Sequence, residues 1–392
     1  MKHSRELNSA NLFFLWFGAA VSVAEILTGG FLADLGLIKG VWAIFLGHLA
    51  GTALLAAGGI IGFRERLPAV MSTRISFGKQ GSYLISIINI LQLVGWTAIM
   101  IIEGGNAVNG ITKSIWGVDH PVLARLGIGA LVGIWVFVGI HGFKILNMAA
   151  VSLLFILTIV MSLVAWSRPL AINPVQATGL FGAGFELSII MPLSWFPLIS
   201  DYTSMSRSEK GAWAAPFSGY FIGSCWMYAI GLTGALFSGS SDPTGMMVAA
   251  NLGISALLII GLSTVTTTFL DVFSAAVSTL NIFPKINRRW AAVLYAFAGT
   301  ILAMGFPMEK YTSFLYLLGS VFAPLIAILL CDYFIFKIDQ RERKWDWRAG
   351  GSMLTGILFY YLIKPVDIII GTTLSAILFT SLIHCGVRRF FK

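Results

Sequence analysis

Charged residues are scarce in this chain, and cysteine is nearly absent. Of its 392 residues, 11% are Asp, Glu, Lys or Arg, whereas 57% are hydrophobic. A soluble domain carries about 25% charged residues on a polar surface, so this composition excludes one and predicts an outer surface in contact with lipid. The three cysteines are too few and too scattered for a disulfide framework or a cysteine metal cluster.

Long apolar runs take the place of the missing charge. A spanning helix needs about 20 apolar residues, whereas a β-barrel would show short segments of alternating polarity. We therefore predict an all-α membrane protein with about twelve spans, the first of them an uncleaved start to the chain. The predicted spans, numbered one to twelve, cover residues 11–36, 40–62, 82–112, 121–140, 145–166, 178–203, 211–238, 247–281, 289–306, 311–336, 348–364 and 367–387.

The net charge of +9 comes from basic residues in the short loops between these spans. If both termini lie in the cytoplasm, 20 of the 26 Lys and Arg residues fall in cytoplasmic segments. This bias follows the positive-inside rule. It predicts a multi-pass protein of the cytoplasmic (inner) membrane and argues against a nucleic-acid partner. The lipid bilayer is the expected surrounding, and no obligate protein partner is evident.

Four carboxylates lie well inside predicted spans, namely Glu25, Glu103, Glu186 and Asp271. A charge at mid-bilayer costs about 3 kcal/mol or more, so each is a candidate functional residue. The alternative is a polar contact between helices. That alternative carries equal weight for Glu186, which lies only a few residues into span six.

Span eight carries a face of hydroxyl groups. Ser263, Thr266, Thr267 and Asp271 stand at helical positions i, i+3, i+4 and i+8, and therefore share one side of the helix. A threonine can satisfy its hydroxyl on the carbonyl four residues earlier, which explains one or two of them but less well the whole set. Oxygen ligands that are mostly neutral suit a hard monovalent cation such as Na⁺.

Spans one and six both show signs of a broken helix. Span one combines small residues, Glu25 and a glycine pair within residues 16–30, and span six contains Pro192 and Pro197. Two prolines this close cannot both lie in a regular helix interior. Interrupted helices at matching positions of two halves are typical of a transporter binding site.

The positions of the two breaks predict an internal repeat. We expect a single transporter domain, residues 1–392, with spans one to five (11–166) repeated as spans six to ten (178–336) and two spans (348–387) appended. An odd number of spans per repeat inverts the second copy. Broken helices favour alternating access over a channel. The five histidines are dispersed and no catalytic motif is present, so an enzyme is not expected.

Span three presents an aromatic and a carboxylate on one face. Trp96, Met100 and Glu103 stand at i, i+4 and i+7. The tryptophan could stack on a planar heteroaromatic ring while the carboxylate hydrogen-bonds to it. Simple packing of the tryptophan is an equally open interpretation at this point.

Three segments resemble the nucleobase-cation-symport family of purine and cytosine permeases. They are the Trp-Phe-Gly…Ala-Glu stretch of span one, the Gly-Trp…Glu-Gly-Gly stretch of residues 95–105 and the Thr-Thr-Thr…Phe-Ser-Ala stretch of residues 266–275. The Phe-Leu-Asp-Val-Phe-Ser-Ala sequence and the short chain are most similar to the CytX-type branch, which carries hydroxymethylpyrimidine, a thiamin precursor. The resemblance implies a LeuT-type 5+5 inverted-repeat fold and ion-coupled uptake.

The resemblance also implies a sodium site between spans one and eight. Its ligands would be the carbonyl groups of Val21, Ala24 and Ser263 and the hydroxyl groups of Thr266 and Thr267. No other cofactor is expected.

For the substrate, the family's stacking tryptophan matches Trp96, its polar partner falls at Met100, and its second tryptophan falls near Pro192, three residues before Trp195. These departures put hydantoin recognition in doubt and give the carboxylates more of the work. The expected substrate-binding residues are Glu25, Trp96, Met100, Glu103, Trp195 and Asp271. We expect a cation-coupled importer of a pyrimidine-like base, hydroxymethylpyrimidine or cytosine. The alternative is a proton-coupled permease for purines, allantoin or hydantoins.

Overall fold

The computed structural model describes residues 7–138, 179–249 and 253–390, together with scattered positions between 152 and 166. We number fifteen α-helices within these residues. They are α1 (Ser9–Ala20), α2 (Val23–Gly30), α3 (Gly36–Glu65), α4 (Ala69–Ser72), α5 (Arg74–Trp116), α6 (Pro121–Val138), α7 (Phe181–Ser194), α8 (Phe196–Thr203), α9 (Glu209–Ser238), α10 (Pro243–Ala249), α11 (Gly253–Ile282), α12 (Arg288–Ala303), α13 (Tyr311–Leu330), α14 (Trp347–Ile363) and α15 (Gly371–Phe390).

Every predicted span except the fifth corresponds to one helix or to a pair of helices in this set. Span five, 145–166, lies outside the described residues apart from the scattered positions. Six helical stretches of the described chain are long and apolar enough to cross a membrane. The paired spans are one (α1 and α2), six (α7 and α8) and eight (α10 and α11).

Span one breaks at Val21 and Ser22. The Val21 ψ angle is 83° and Ser22 is extended, with φ −138° and ψ 156°. The Ser22 side chain accepts a hydrogen bond from the Glu25 N–H at 3.3 Å, which caps the start of α2. The glycine pair does not form the break. A Cβ at Gly29 would lie 2.4 Å from the Tyr228 carbonyl oxygen, so this glycine serves close packing against α9.

Span six breaks at Trp195, between α7 and α8. Pro192 lies in the last turn of α7, and Pro197 lies at the start of α8, where its missing N–H leaves no helical bond unmade. The predicted break between the two prolines is therefore confirmed. In both broken spans, the interruption frees backbone groups in the interior of the protein rather than in a loop.

Glu186 makes a structural contact of the kind that the sequence left open. Its carboxylate accepts hydrogen bonds from the Tyr360 hydroxyl at 2.9 Å and from the Thr373 N–H and hydroxyl at 2.8 and 2.7 Å. These bonds join span six to spans eleven and twelve. Within the described chain, Glu186 thus has a sufficient explanation in helix packing.

A second buried cluster of charges ties the end of span twelve to the end of span ten. The Arg388 guanidinium donates two hydrogen bonds to Asp332, at 2.8 and 2.7 Å, and one to Asp346 at 2.7 Å. His384 lies 2.9 Å from the same Asp332 carboxylate. Buried charges persist only when they are paired and hydrogen-bonded in this way.

Spans three and eight pack side by side with opposite chain directions. A Cβ at Gly104 would lie 2.7 Å from the Thr264 hydroxyl, so the helices nearly touch there. At the other end of the same contact, the Asn89 side-chain amide donates to the Ser278 hydroxyl at 2.9 Å. The residues midway between these two contacts therefore lie at one level on the two helices.

Candidate substrate and ion site

The break in span one meets span eight at the predicted ion ligands. The Ser263 hydroxyl donates a hydrogen bond of 2.7 Å to the Val21 carbonyl oxygen, 242 positions away in the chain. That carbonyl is available because the helix is interrupted at Val21. The contact brings together two of the residues proposed for sodium binding.

The other proposed ion ligands are also buried oxygens, and they lie within a few residues of Val21 or Ser263 in the sequence. The Thr266 hydroxyl bonds back to the Ser263 carbonyl at 3.1 Å, and the Ala24 carbonyl accepts a bond of 2.6 Å from the Thr28 hydroxyl. The Thr267 hydroxyl is buried and has no hydrogen-bond partner among the described residues. A buried hydroxyl without a partner is costly, and a bound cation would supply one. Neutral oxygens of this kind fit Na⁺.

Trp96 and Trp195 lie in the interior, on spans three and six. The Trp96 ring meets Phe314 edge-on, with 5.4 Å between ring centroids, and its Nε1 has no hydrogen-bond partner within the described chain. The Trp195 ring meets Trp16 edge-on at 5.9 Å. Both rings are held by edge contacts, and both have the size and the amphipathic character that a stacking residue needs.

Trp96 and Asp271 lie at one level, because each falls about midway between the two contacts that align spans three and eight. Asp271 is 2% exposed, and none of the described residues forms a hydrogen bond to its carboxyl group. An unpartnered carboxyl in the interior is rare and indicates a ligand or a proton. Asp271 stands level with Trp96 on the neighbouring span, and its role toward a substrate stays a prediction.

Gln92 is a candidate that the sequence analysis did not identify. Its side-chain nitrogen donates to the Asn89 side-chain oxygen Oδ1 at 2.8 Å and to the Ser194 backbone carbonyl at 3.2 Å. Because the Ser194 backbone carbonyl can only accept, the Gln92 nitrogen must face it. The Gln92 side-chain oxygen, Oε1, therefore points away from Ser194. That oxygen is buried and has no partner among the described residues. The signal was present, since Asn89, Gln92 and Trp96 share a helix face at i, i+3 and i+7.

Glu103 and Met100 lie on the same helix as Trp96. Glu103 is 8% exposed and has no hydrogen bond within the described part of the chain. Met100 is buried in the main apolar core, where its thioether serves packing. Their roles toward a substrate stay predictions.

Glu25 has its bonds supplied by span seven. Its carboxylate accepts hydrogen bonds from the Tyr220 and Ser224 hydroxyls, both at 2.6 Å, and the Ser224 oxygen also lies 2.6 Å from His48 Nε2. The carboxylate therefore contributes to the packing of spans one, two and seven. Its predicted contact with substrate stays a prediction.

A family model described as a permease for cytosine and purines, uracil, thiamine and allantoin matches residues 1–351. The cytosine permease of Escherichia coli (strain K12) is 25% identical over 398 residues, which cover 95% of this chain and 91% of the relative.

Two solved structures share the architecture. Mhp1, a nucleobase-cation-symport-1 family transporter in a closed conformation with bromovinylhydantoin bound, superposes with a TM-score of 0.82 at 17% identity and covers 99% of this chain and 93% of its own. A Na⁺-coupled sialic acid symporter has a TM-score of 0.62 at 13% identity, with 97% of this chain and 98% of its own covered. These likenesses confirm the LeuT-type fold.

The relatives named by these comparisons are transporters and not enzymes. The family model covers most of the chain, and the helical, apolar architecture is that of a multi-pass membrane protein. The chain therefore belongs to the family of permeases for cytosine, purines, uracil, thiamine and allantoin.

Proposed function

We propose that this permease imports a small aminopyrimidine, cytosine or hydroxymethylpyrimidine, together with Na⁺. We place it in the cytoplasmic membrane with both termini in the cytoplasm, as the distribution of Lys and Arg favours. The observation that carries the substrate proposal is the buried Gln92 Oε1, which has no partner among the described residues and lies on the Trp96 face of span three. The carboxyl group of Asp271, 2% exposed and level with Trp96 on span eight, supports it.

The chemistry of an aminopyrimidine matches these groups. The ring is flat, so it can stack on an indole, and one edge carries an amino donor next to a ring nitrogen. The Gln92 oxygen can accept from an amino or ring N–H. A carboxyl group such as that of Asp271 can accept from the amino group and, when it carries a proton, donate to the ring nitrogen. A ligand that left these groups unpaired would bind far less well.

The proposal of sodium rests on the oxygen set at the break of span one. Val21 is joined to Ser263, and the Thr267 hydroxyl lacks a partner within the described chain. No acidic side chain is needed in such a set for a monovalent cation. The alternative function is a proton-coupled permease for purines, allantoin or hydantoins.

Thermal stabilisation of the purified protein tests both parts of the proposal. Cytosine, hydroxymethylpyrimidine, uracil, adenine, allantoin and a hydantoin would be added in NaCl or in choline chloride. A ligand at 100 times its Kd stabilises the folded protein by about 2.7 kcal/mol. We expect the aminopyrimidines to raise the melting temperature more in NaCl than in choline chloride.

Cytosine and uracil form a matched pair of ligands, because uracil carries an oxygen where cytosine carries the amino group. We expect a large shift with cytosine and a small one with uracil. A larger shift with purines, allantoin or hydantoins would contradict the proposed substrate. Equal shifts in the two salts would contradict sodium coupling.

A further inference from the structure

Tyr311 joins the two predicted binding sites. It is the first residue of α13, at the start of span ten, and it is buried. Its ring meets the Trp96 ring edge-on, with 6.2 Å between ring centroids, and its hydroxyl lies 2.8 Å from the Thr28 hydroxyl. Trp96 belongs to the proposed substrate site, whereas Thr28 lies one helical turn beyond Ala24, a proposed ion ligand.

The direction of the hydrogen bonds in this contact is determined. The Thr28 hydroxyl lies 2.6 Å from the Ala24 carbonyl oxygen, which can only accept, so the single hydroxyl proton of Thr28 points there. The Tyr311 hydroxyl must then donate to Thr28. The result is a directed chain from Tyr311 through Thr28 to the Ala24 carbonyl. Hydrogen bonds in such a chain polarise one another.

We propose that Tyr311 and Thr28 are positioning residues that couple the binding of Na⁺ to the binding of the base. The inference rests on the proposed function, because Ala24 is an ion ligand only if the protein binds Na⁺ at the proposed site. A base seated against Trp96 determines where the Tyr311 ring can lie. The Tyr311 hydroxyl in turn orients Thr28 and the Ala24 carbonyl. Each ligand therefore stabilises the arrangement that the other requires, which is a coupling free energy between two sites.

A second pair in the same protein has the same bonding away from the site. The Thr279 hydroxyl donates to the Ala275 carbonyl at 2.9 Å and lies 2.7 Å from the Tyr295 hydroxyl. A threonine that bonds back to the carbonyl four residues earlier is common in helices. The Tyr295 pair thus supplies the matched control for a bond that serves helix packing alone.

The experiment measures the Kd of radiolabelled cytosine for the purified protein in NaCl and in choline chloride. The Kd in choline chloride divided by the Kd in NaCl, called α here, reports the coupling. This ratio is insensitive to a change in the intrinsic affinity for cytosine that is equal in the two salts. We expect Tyr311→Phe, which keeps the ring, to lower α about fivefold, equivalent to about 1 kcal/mol. Tyr295→Phe should leave α at the value of the unmodified protein.

The partner residue gives an independent measurement. Thr28→Val removes the hydroxyl at nearly constant shape and should lower α as much as Tyr311→Phe. The double variant should lower α no further than either single variant, because both changes interrupt the same series of hydrogen bonds.

Two results overturn the inference in distinguishable ways. If α is 1 in the unmodified protein, the proposed sodium coupling is wrong and the hydrogen bonds from Tyr311 to Ala24 couple nothing. If α exceeds 1 in the unmodified protein and is unchanged in Tyr311→Phe, sodium coupling stands and the role of Tyr311 is wrong.

Discussion

The unpartnered carboxyl group of Asp271 leads to a prediction that separates binding from folding. Leucine has the same branching as aspartate, with two methyl groups in place of two oxygens. Asp271 is 2% exposed and has no hydrogen bond among the described residues, so Asp271→Leu breaks none there. Replacing a buried, unsatisfied polar group with an apolar group of the same shape should stabilise the protein by about 1–3 kcal/mol. We expect the same variant to lose its stabilisation by cytosine.

Asp332 provides the matched control of opposite sign. It is also fully buried, but Arg388 and His384 bond to its carboxylate. Asp332→Leu leaves a buried guanidinium short of partners, which typically costs about 3–5 kcal/mol. At about 2 °C per kcal/mol for a large domain, the melting temperature should rise by about 2–6 °C in Asp271→Leu and fall by about 6–10 °C in Asp332→Leu.

The assay is a thermal melt of the detergent-purified variants without ligand, repeated with saturating cytosine. Comparable losses of stability in both variants would refute the reasoning, because Asp271 would then hold the fold together as Asp332 does. Retention of the cytosine shift in Asp271→Leu would refute its place in the substrate site.

Two further predictions concern the ion site and the buried charge cluster. Thr267→Val should weaken the Na⁺ dependence of cytosine binding about tenfold, equivalent to about 1.4 kcal/mol. Thr268→Val should not weaken it, although the Thr268 hydroxyl is also buried and also lacks a partner among the described residues. Equal effects of the two variants in a Na⁺ titration would argue against the proposed sodium site. Arg388→Met should destabilise the protein by about 3–5 kcal/mol. Arg64 pairs with Glu209 and its side chain is 46% exposed, so Arg64→Met should cost less than about 1 kcal/mol. Thermal melts compare the two variants, and a similar loss of stability in both would contradict the importance of burial.

The breaks in the helices were predictable because their signals are local. Pro192 and Pro197 together remove two helical hydrogen bonds from one short segment and so favour a break there, although a single proline such as Pro216 lies inside a continuous helix. In span one the sequence indicated a break but did not locate it, since the capping serine, Ser22, is visible only once the flanking helices are placed. The hydroxyl face of span eight followed from helical spacing alone, and Ser263 does contact Val21.

The polar partners of the site could not be predicted, because they come from distant parts of the chain. Tyr311 meets Thr28 across 283 positions, and Tyr220 meets Glu25 across 195. No periodicity within one span encodes such a pair. The same limit explains Glu25, for which a carboxylate inside a helix indicated a function while the hydroxyls that satisfy it lie on span seven.

Uptake of radiolabelled cytosine into proteoliposomes tests the central claim most directly. An inward Na⁺ gradient would be imposed with equal pH on both sides, and choline chloride would replace NaCl in the control. Coupled import predicts saturable accumulation of cytosine above its external concentration in NaCl and none in choline chloride. Accumulation that ignores Na⁺ and follows an imposed pH gradient, or simple equilibration of cytosine, would contradict the account.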